Sequence, residues 1–281
     1  MDRSQSTLDA LVSRIRGVLG DDLVGIYLYG SYVSGGFDPA VSDLDLVAVT
    51  APELERIDIA SLERMHREFV DRNPEWDDRI EVVYIGRATL ASFRTSPGSL
   101  AVISPGEPLH VLDDRAIEWL QNWYLLRETS LTLFGPPAAE VVPPISWKEF
   151  VAATARYAGL VSKQSLGDAN PSQLAYTVLT MCRALMTVEV QAHGSKQDGA
   201  AWTRKRVPEW AWLIDAALRC RLSRGGIGFD DPRTRAAAEE FIALLATRIG
   251  RSSTPGPSSS ATRTCMRPLW TVVGSRGWRR W

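Results

Sequence analysis

Lysine is absent from the first 145 residues, and cysteine and histidine are scarce, with three of each in 281 residues. The cysteines are odd in number and not in metal-ligand spacing, which favours a reduced, cytoplasmic location. The histidines are widely spread, so the sequence predicts neither a zinc site nor histidine-based acid–base chemistry. No apolar run reaches about 18 residues and the N-terminus does not resemble a signal peptide, so no membrane association is expected.

The composition is that of a globular protein, with 45% hydrophobic and 23% charged residues, and the length allows two domains. Charge is unevenly distributed. Residues 1–145 carry 12 Arg against 23 Asp or Glu, a net charge of −11, whereas residues 146–250 carry 14 Lys or Arg against 10 acids, a net charge of +4. An acidic N-terminal half favours a small cationic substrate over nucleic acid, unless these acids only form a solvated surface.

One motif dominates the N-terminal half. Gly30 and Ser31 directly follow Leu23–Tyr29, a run of apolar, aromatic and β-branched residues that is typical of a buried strand. A chain that turns into a helix at this point leaves backbone N–H groups available to a phosphate. The motif therefore predicts a phosphate-binding turn at the end of the first strand.

Two aspartates, Asp43 and Asp45, follow on the next strand candidate. Strand side chains alternate between faces, so both carboxylates are expected on one face, with Leu44 on the other. Adjacent carboxylates repel each other unless a cation lies between them, and oxygen ligands suit Mg²⁺. A phosphate-binding turn beside a magnesium site is what phosphoryl or nucleotidyl transfer requires.

A third carboxylate, Glu81, lies in the strand candidate Asp78–Ile85. Glu81 alternates with Val83 on one face, opposite Ile80 and Val82. If this strand pairs beside the aspartate-bearing strand, Glu81 reaches the same site, either as a metal ligand or as a general base for an acceptor hydroxyl.

These features resemble the nucleotidyltransferase superfamily related to DNA polymerase β, whose pattern is Gly-Ser, a short spacer and Asp-x-Asp. They are most similar to aminoglycoside adenylyltransferases of the streptomycin/spectinomycin type. The stretches that carry this closer resemblance are Tyr27–Ser31, Gly35-Gly36, Ser42–Leu46, Leu179–Arg183, Ser195-Lys196 and Ala200–Trp202.

The resemblance implies a reaction and a set of roles. ATP or another nucleoside triphosphate would be the co-substrate, with its phosphates over Gly30, Ser31 and Ser42. Glu81 would be the base, and Lys196 would reach the phosphates from the second domain. Asp43 and Asp45 would hold Mg²⁺. The Trp and Asp that contact streptomycin in the family have no secure equivalents here, since Trp147 and Asp168 are not in register. The family also has an acid that contacts the nucleotide, and its equivalent stays open among Asp113, Asp114 and Glu118.

The expected fold class is α+β. A nucleotidyltransferase domain (residues 1–143), a mixed sheet flanked by helices, precedes an all-helical bundle (144–250), and residues 251–281 form a disordered basic tail. In the first domain helices are predicted over residues 4–19, from Pro52 to about Val70 and from Trp119 to Leu133. In the bundle they are predicted over residues 147–166, 171–193, 197–204, 208–222 and 232–249.

The function predicted from these observations is Mg²⁺-dependent transfer of AMP from ATP to a hydroxyl of an aminoglycoside-type antibiotic, with release of pyrophosphate, by a monomeric enzyme. Two alternatives remain open. One is a nucleotidyltransferase that acts on a protein or on another small molecule. The other is a non-catalytic, antitoxin-like binding module with the same fold, against which the joint presence of Gly30, Ser31, Asp43, Asp45 and Glu81 argues.

Overall fold

The structure is a computed structural model, and it describes residues 3–164, 166, 169–222, 229 and 231–253. The chain forms two compact units, which divide between Ser146 and Trp147. Asp168 and the predicted tail beyond Ser253 lie outside the described residues. Among the residues described, no helix combines the length and the apolarity that crossing a membrane requires.

The first unit alternates helices with strands. In chain order its elements are α1 (Arg3–Leu19), β1 (Leu23–Tyr29), β2 (Leu44–Thr50), α2 (Ile59–Arg72), β3 (Ile80–Gly86), α3 (Arg87–Ser92), β4 (Leu100–Ser104), β5 (Glu107–Leu112), α4 (Leu120–Thr129), β6 (Leu131–Phe134) and α5 (Ala138–Val141). The six strands form one sheet in the order β5-β4-β3-β2-β1-β6. Only β2 and β3 are parallel, and α2 supplies the crossover that a parallel pair needs.

One face of this sheet is a hydrophobic core beneath α1 and α2. Alternate residues of the three central strands, such as Leu28, Leu46 and Val82, are fully buried there against Leu11 of α1 and Phe69 of α2. Because side chains alternate along each strand, the polar residues of the same strands lie on the opposite face. The alternation predicted from the sequence therefore decides which face carries chemistry.

The second unit is helical. Its helices are α6 (Trp147–Val161), α7 (Pro171–Val190), α8 (Lys196–Arg204), α9 (Ala211–Leu222) and α10 (Pro232–Ser253). The apolar residues of α7, including Val178, Met181 and Leu185, are buried at the centre of this unit. Asn170 and Gln173 begin α7 with a capping box, which satisfies two backbone N–H groups that the helix end leaves open. The predicted α+β class, with a helical C-terminal region, is confirmed.

Several predicted helix bounds are wrong. The helix predicted over residues 147–166 ends at Val161, and the helix predicted over 171–193 ends at Val190. The second helix begins at Ile59 rather than at Pro52, because Asp58 caps its N-terminus by accepting a bond from the Ser61 N–H. The helix predicted from Trp119 to Leu133 ends at Thr129, and β6 follows at once because Leu131–Phe134 pairs with β1. Helix α10, predicted over residues 232–249, continues to Ser253.

Candidate active site

Three strand ends bring two of the predicted acids side by side. In the parallel β2–β3 ladder Asp45 is the direct partner of Glu81, and in the antiparallel β1–β2 ladder Tyr29 is the partner of Asp45. Paired strands lie about 4.8 Å apart, so these half-buried carboxylates are near neighbours on the face away from α1 and α2. Asp43 lies one residue before β2, and its Oδ1 is buried from solvent.

The turn after β1 closes over this pair of acids. Gly30 has a φ of +72°, and a Cβ built there would collide with the Asp45 carboxylate. The Ser34 N–H donates to the Gly30 carbonyl and the Gly36 N–H donates to the Ser31 carbonyl, at 3.1 and 3.2 Å. The segment forms turns rather than the expected helix. Backbone N–H groups at the start of such a turn have no carbonyl partner within the turn and can donate to a ligand. These groups suit binding of an anion at Gly30 and Ser31.

Ser42 belongs to a loop that two groups hold in place. Its hydroxyl accepts a bond from the Asp38 N–H at 2.9 Å, and its side chain is only 3% exposed. The Arg79 guanidinium donates to the Ser42 carbonyl at 2.6 Å and to the Pro39 carbonyl at 2.8 Å, while it stacks on the Trp76 ring. These bonds fix the loop that leads into Asp43, so the structure gives Ser42 a role in shaping the loop.

A tyrosine and an asparagine extend the site beneath Glu81. The Tyr29 hydroxyl donates to Glu81 Oε1 at 3.1 Å, and Asn122 Nδ2 of α4 donates to the Tyr29 oxygen at 3.1 Å. Burial, and then the charges of Glu81 and Asp45, raise the pKa of Tyr29 well above its usual value. Tyr29 therefore keeps its proton at neutral pH and remains a hydrogen-bond donor.

Lys196 lies in the second unit, at the first position of α8. Ser195 caps that helix and forms a capping box with Asp198, which fixes the backbone on which Lys196 stands. The Lys196 ammonium lies 3.8 Å from the centre of the Tyr176 ring, and Tyr176 is about half exposed at 49%. A lysine held over an aromatic ring at a surface presents its charge in a defined place.

The donor set fits Mg²⁺ only with help from a substrate. Within the described part of the chain no group of three or more His, Cys, Asp and Glu side chains is arranged to hold a metal ion. Mg²⁺ in phosphoryl-transfer sites is usually bound by one or two carboxylates together with substrate phosphates and water. Asp43 and Asp45, beside the turn at Gly30, supply two carboxylates of the required kind.

The three acids that the sequence offers as the nucleotide-contacting residue lie in different surroundings. Glu118 accepts two bonds from the Arg115 guanidinium, at 2.8 and 3.1 Å. Asp113 accepts one from the Ser99 hydroxyl at 3.2 Å. Asp114 takes a left-handed backbone, with a φ of +56°. Trp147 packs its ring against Phe150 in the second unit. None of these contacts points to a nucleotide.

Comparison with known proteins assigns both halves of the chain. A model of the nucleotidyltransferase domain matches residues 12–96, and a model of the aminoglycoside adenylyltransferase C-terminal domain matches residues 140–248. The chain therefore carries a nucleotidyltransferase domain followed by an aminoglycoside adenylyltransferase C-terminal domain. The resemblance predicted from the motifs is thereby confirmed, and this nucleotidyltransferase is an enzyme.

Two relatives of the enzyme carry related names. The chain is 24% identical to spectinomycin 9-adenylyltransferase from Campylobacter jejuni over 218 residues, which is 72% of this chain and 79% of that protein. The fold of this chain matches the crystal structure of spectinomycin adenyltransferase AAD(9) from Enterococcus faecialis with ATP and spectinomycin. The TM-score is 0.67 at 18% identity, over 87% of this chain and 98% of the other.

Two polar residues at the site escaped the sequence analysis. Tyr29 stood inside a buried-strand run, where an aromatic residue is typical of a core. Asn122 lay in a segment whose apolar residues indicated only a helix. The signal for Tyr29 was its place one residue before Gly30. Nothing local marks Asn122, because its partner lies 93 residues away in the chain.

Proposed function

We propose that this enzyme transfers AMP from ATP to a hydroxyl of an aminoglycoside-type antibiotic, with release of pyrophosphate. The observation that carries the proposal is the pairing of Asp45 with Glu81 beneath the turn at Gly30. This pairing places two carboxylates next to a turn that is suited to binding phosphate. The match of the C-terminal half to the aminoglycoside adenylyltransferase domain supports this class of acceptor.

In the proposed reaction the chain binds and orients both substrates. The backbone of Gly30 and Ser31 holds the triphosphate, within the loop that Ser42 shapes. Asp43 and Asp45 hold Mg²⁺, which when bound neutralises charge on the phosphates. Lys196, whose ammonium lies over the Tyr176 ring, adds a positive charge to the phosphates, a role that suits a compact point charge.

Glu81 acts on the acceptor. Its carboxylate takes the proton of the acceptor hydroxyl, whose oxygen forms a bond to the α-phosphorus of ATP. The bond between the α-phosphorus and the bridging oxygen breaks, and pyrophosphate leaves with that electron pair. In this reaction Glu81 is the general base, and Asp43 and Asp45 are the metal ligands.

Charge supports a cationic acceptor. The first 145 residues carry a net charge of −11, and a lobe of this sign attracts a positively charged antibiotic and repels nucleic acid. Spectinomycin is the first acceptor to test, because both relatives are named for its adenylylation. Since the co-substrate is ATP, the cytoplasm is the proposed location.

The test is an acceptor screen with purified protein, ATP and Mg²⁺. We expect AMP to appear on spectinomycin or streptomycin, detected as an adduct by mass spectrometry, with one pyrophosphate released per adduct. Asp45→Asn should lower the rate by about 10³-fold or more, because a carboxylate that holds the metal is lost. Asp9→Asn, at an exposed position of α1, is the control and should keep the wild-type rate.

The alternatives correspond to other outcomes of the same screen. AMP transfer to an added protein but to no antibiotic would favour the nucleotidyltransferase with a protein acceptor. No transfer, together with no Mg²⁺-dependent ATP binding in calorimetry, would favour the non-catalytic binding module. Wild-type rates in Asp45→Asn would contradict the proposed metal site.

A further inference from the structure

Three side chains from three elements form a hydrogen-bonded chain that ends on the candidate base. Asn122 of α4 donates to the hydroxyl of Tyr29 on β1, and Tyr29 donates to Oε1 of Glu81 on β3, each at 3.1 Å. Tyr29 is 4% exposed, and Asn122 is half-buried. Tertiary packing alone brings these residues together.

Asn122 sets the direction of the two hydrogen bonds. The amide nitrogen of Asn122 can only donate, so the Tyr29 oxygen accepts from it. A phenol has one proton, and with its oxygen already an acceptor toward α4 that proton points to Glu81. One carboxylate oxygen of Glu81, Oε1, is thereby fixed.

Glu81 needs such a restraint. Its side chain has three rotatable bonds, and the Asp45 carboxylate lies beside it as its partner across the ladder. Repulsion between the two negative charges drives the carboxylates apart when no cation lies between them. A donated hydrogen bond from a buried, rigid ring opposes that displacement.

We infer that Tyr29 and Asn122 are positioning residues, which hold the Glu81 carboxylate in the orientation it needs to act on the acceptor hydroxyl. This inference rests on the proposed function, in which Glu81 is the base. Neither residue needs to touch a substrate. An error of about 1 Å in the position of a catalytic group can lower a rate by about 10²-fold, so the restraint is large enough to measure.

Tyr27, two residues before Tyr29, is a matched control for the Tyr29→Phe substitution. Tyr27 lies on the same strand and the same face, is fully buried, and donates its hydroxyl to the Pro136 carbonyl at 3.0 Å. Tyr27→Phe and Tyr29→Phe each remove one buried hydroxyl. Tyr27→Phe removes one hydrogen bond, to Pro136, whereas Tyr29→Phe removes two, those with Glu81 and Asn122. Only Tyr29→Phe removes a bond to Glu81.

The experiment compares kcat and KM of these variants in AMP transfer to the acceptor found by the screen. We expect Tyr29→Phe to lower kcat by roughly 10- to 100-fold with less than about a twofold change in KM for ATP, and Tyr27→Phe to keep kcat. Asn122→Ala should lower kcat in the same direction by a smaller factor. It also serves as the second variant if Tyr29→Phe does not fold.

A double-mutant cycle distinguishes positioning from a structural effect. If Tyr29 acts through Glu81, Tyr29→Phe has no further effect on kcat in a Glu81→Gln background. The same fold loss in both backgrounds, or wild-type kcat in Tyr29→Phe and Asn122→Ala, overturns the inference. Full activity of Glu81→Gln alone would instead contradict the proposed function.

Discussion

Replacement of Gly30 by alanine tests the geometry of the site at its tightest point. Gly30 has a φ of +72°, and an added Cβ would collide with the Asp45 carboxylate. Gly35, in the same segment, has a φ of +76° and no atom within 4 Å of an added Cβ. The two substitutions therefore carry the same backbone strain, about 1 kcal/mol each, and only Gly30→Ala displaces a carboxylate.

The expected loss of activity follows from that displacement. Asp45 must move by about 1 Å or more to admit the methyl group, and an error of that size costs about 10²-fold in rate. We expect Gly30→Ala to lower kcat/KM for AMP transfer by about 10²-fold and Gly35→Ala by less than about threefold. Urea unfolding monitored by circular dichroism measures the strain independently. Equal activity of the two variants would refute the assignment of Asp45 and the Gly30 turn to one site.

The remaining predictions concern stability and the second unit. His66 is 1% exposed, and burial lowers its pKa from 6.5 to about 4, so only the unfolded chain takes up a proton between these values. The contribution of neutral His66 to the free energy of unfolding is fully present above pH 6.5. That free energy falls by about 3 kcal/mol as the pH drops from 6.5 to about 4. Urea unfolding at several pH values should show this loss in the wild-type protein and a smaller loss in His66→Gln. An equal loss of unfolding free energy in both proteins would contradict the assignment to His66. Lys196→Met should raise KM for ATP by roughly tenfold, whereas Lys205→Met, at the other end of α8, should not; initial-rate kinetics decide, and equal KM values would remove Lys196 from the nucleotide site. Arg79→Lys keeps the charge but loses the planar fork that holds the Ser42 and Pro39 carbonyls, so kcat should fall by roughly tenfold; Arg87→Lys is the control, and matching rates would show that the loop does not need the fork.

The central strands were predictable because their sequence carries the signal locally. Leu23–Tyr29 is a continuous apolar run, and β1 has those bounds. The alternation around Glu81 placed that residue opposite the core face, as the burial of Ile80 and Val82 shows. Period-2 patterns survive folding when one face is fully buried.

What could not be predicted depends on contacts between distant parts of the chain. Strand β6 exists because Leu131–Phe134 pairs with β1, whereas its sequence continues the apolar pattern of the preceding helix. Local propensity is a weak guide to such an edge strand, since its partner decides its conformation. The contact between Asn122 and Tyr29 has the same origin, because packing of α4 on β1 creates it.

The measurement that tests the account most directly is single-turnover AMP transfer by Glu81→Gln. Glutamine keeps the shape of the side chain but cannot take a proton from the acceptor. We predict that ATP binds with unchanged Kd in calorimetry and that transfer slows by about 10²- to 10⁴-fold. Transfer at the wild-type rate in this variant would contradict the claim that the paired carboxylates beneath the Gly30 turn carry out the reaction.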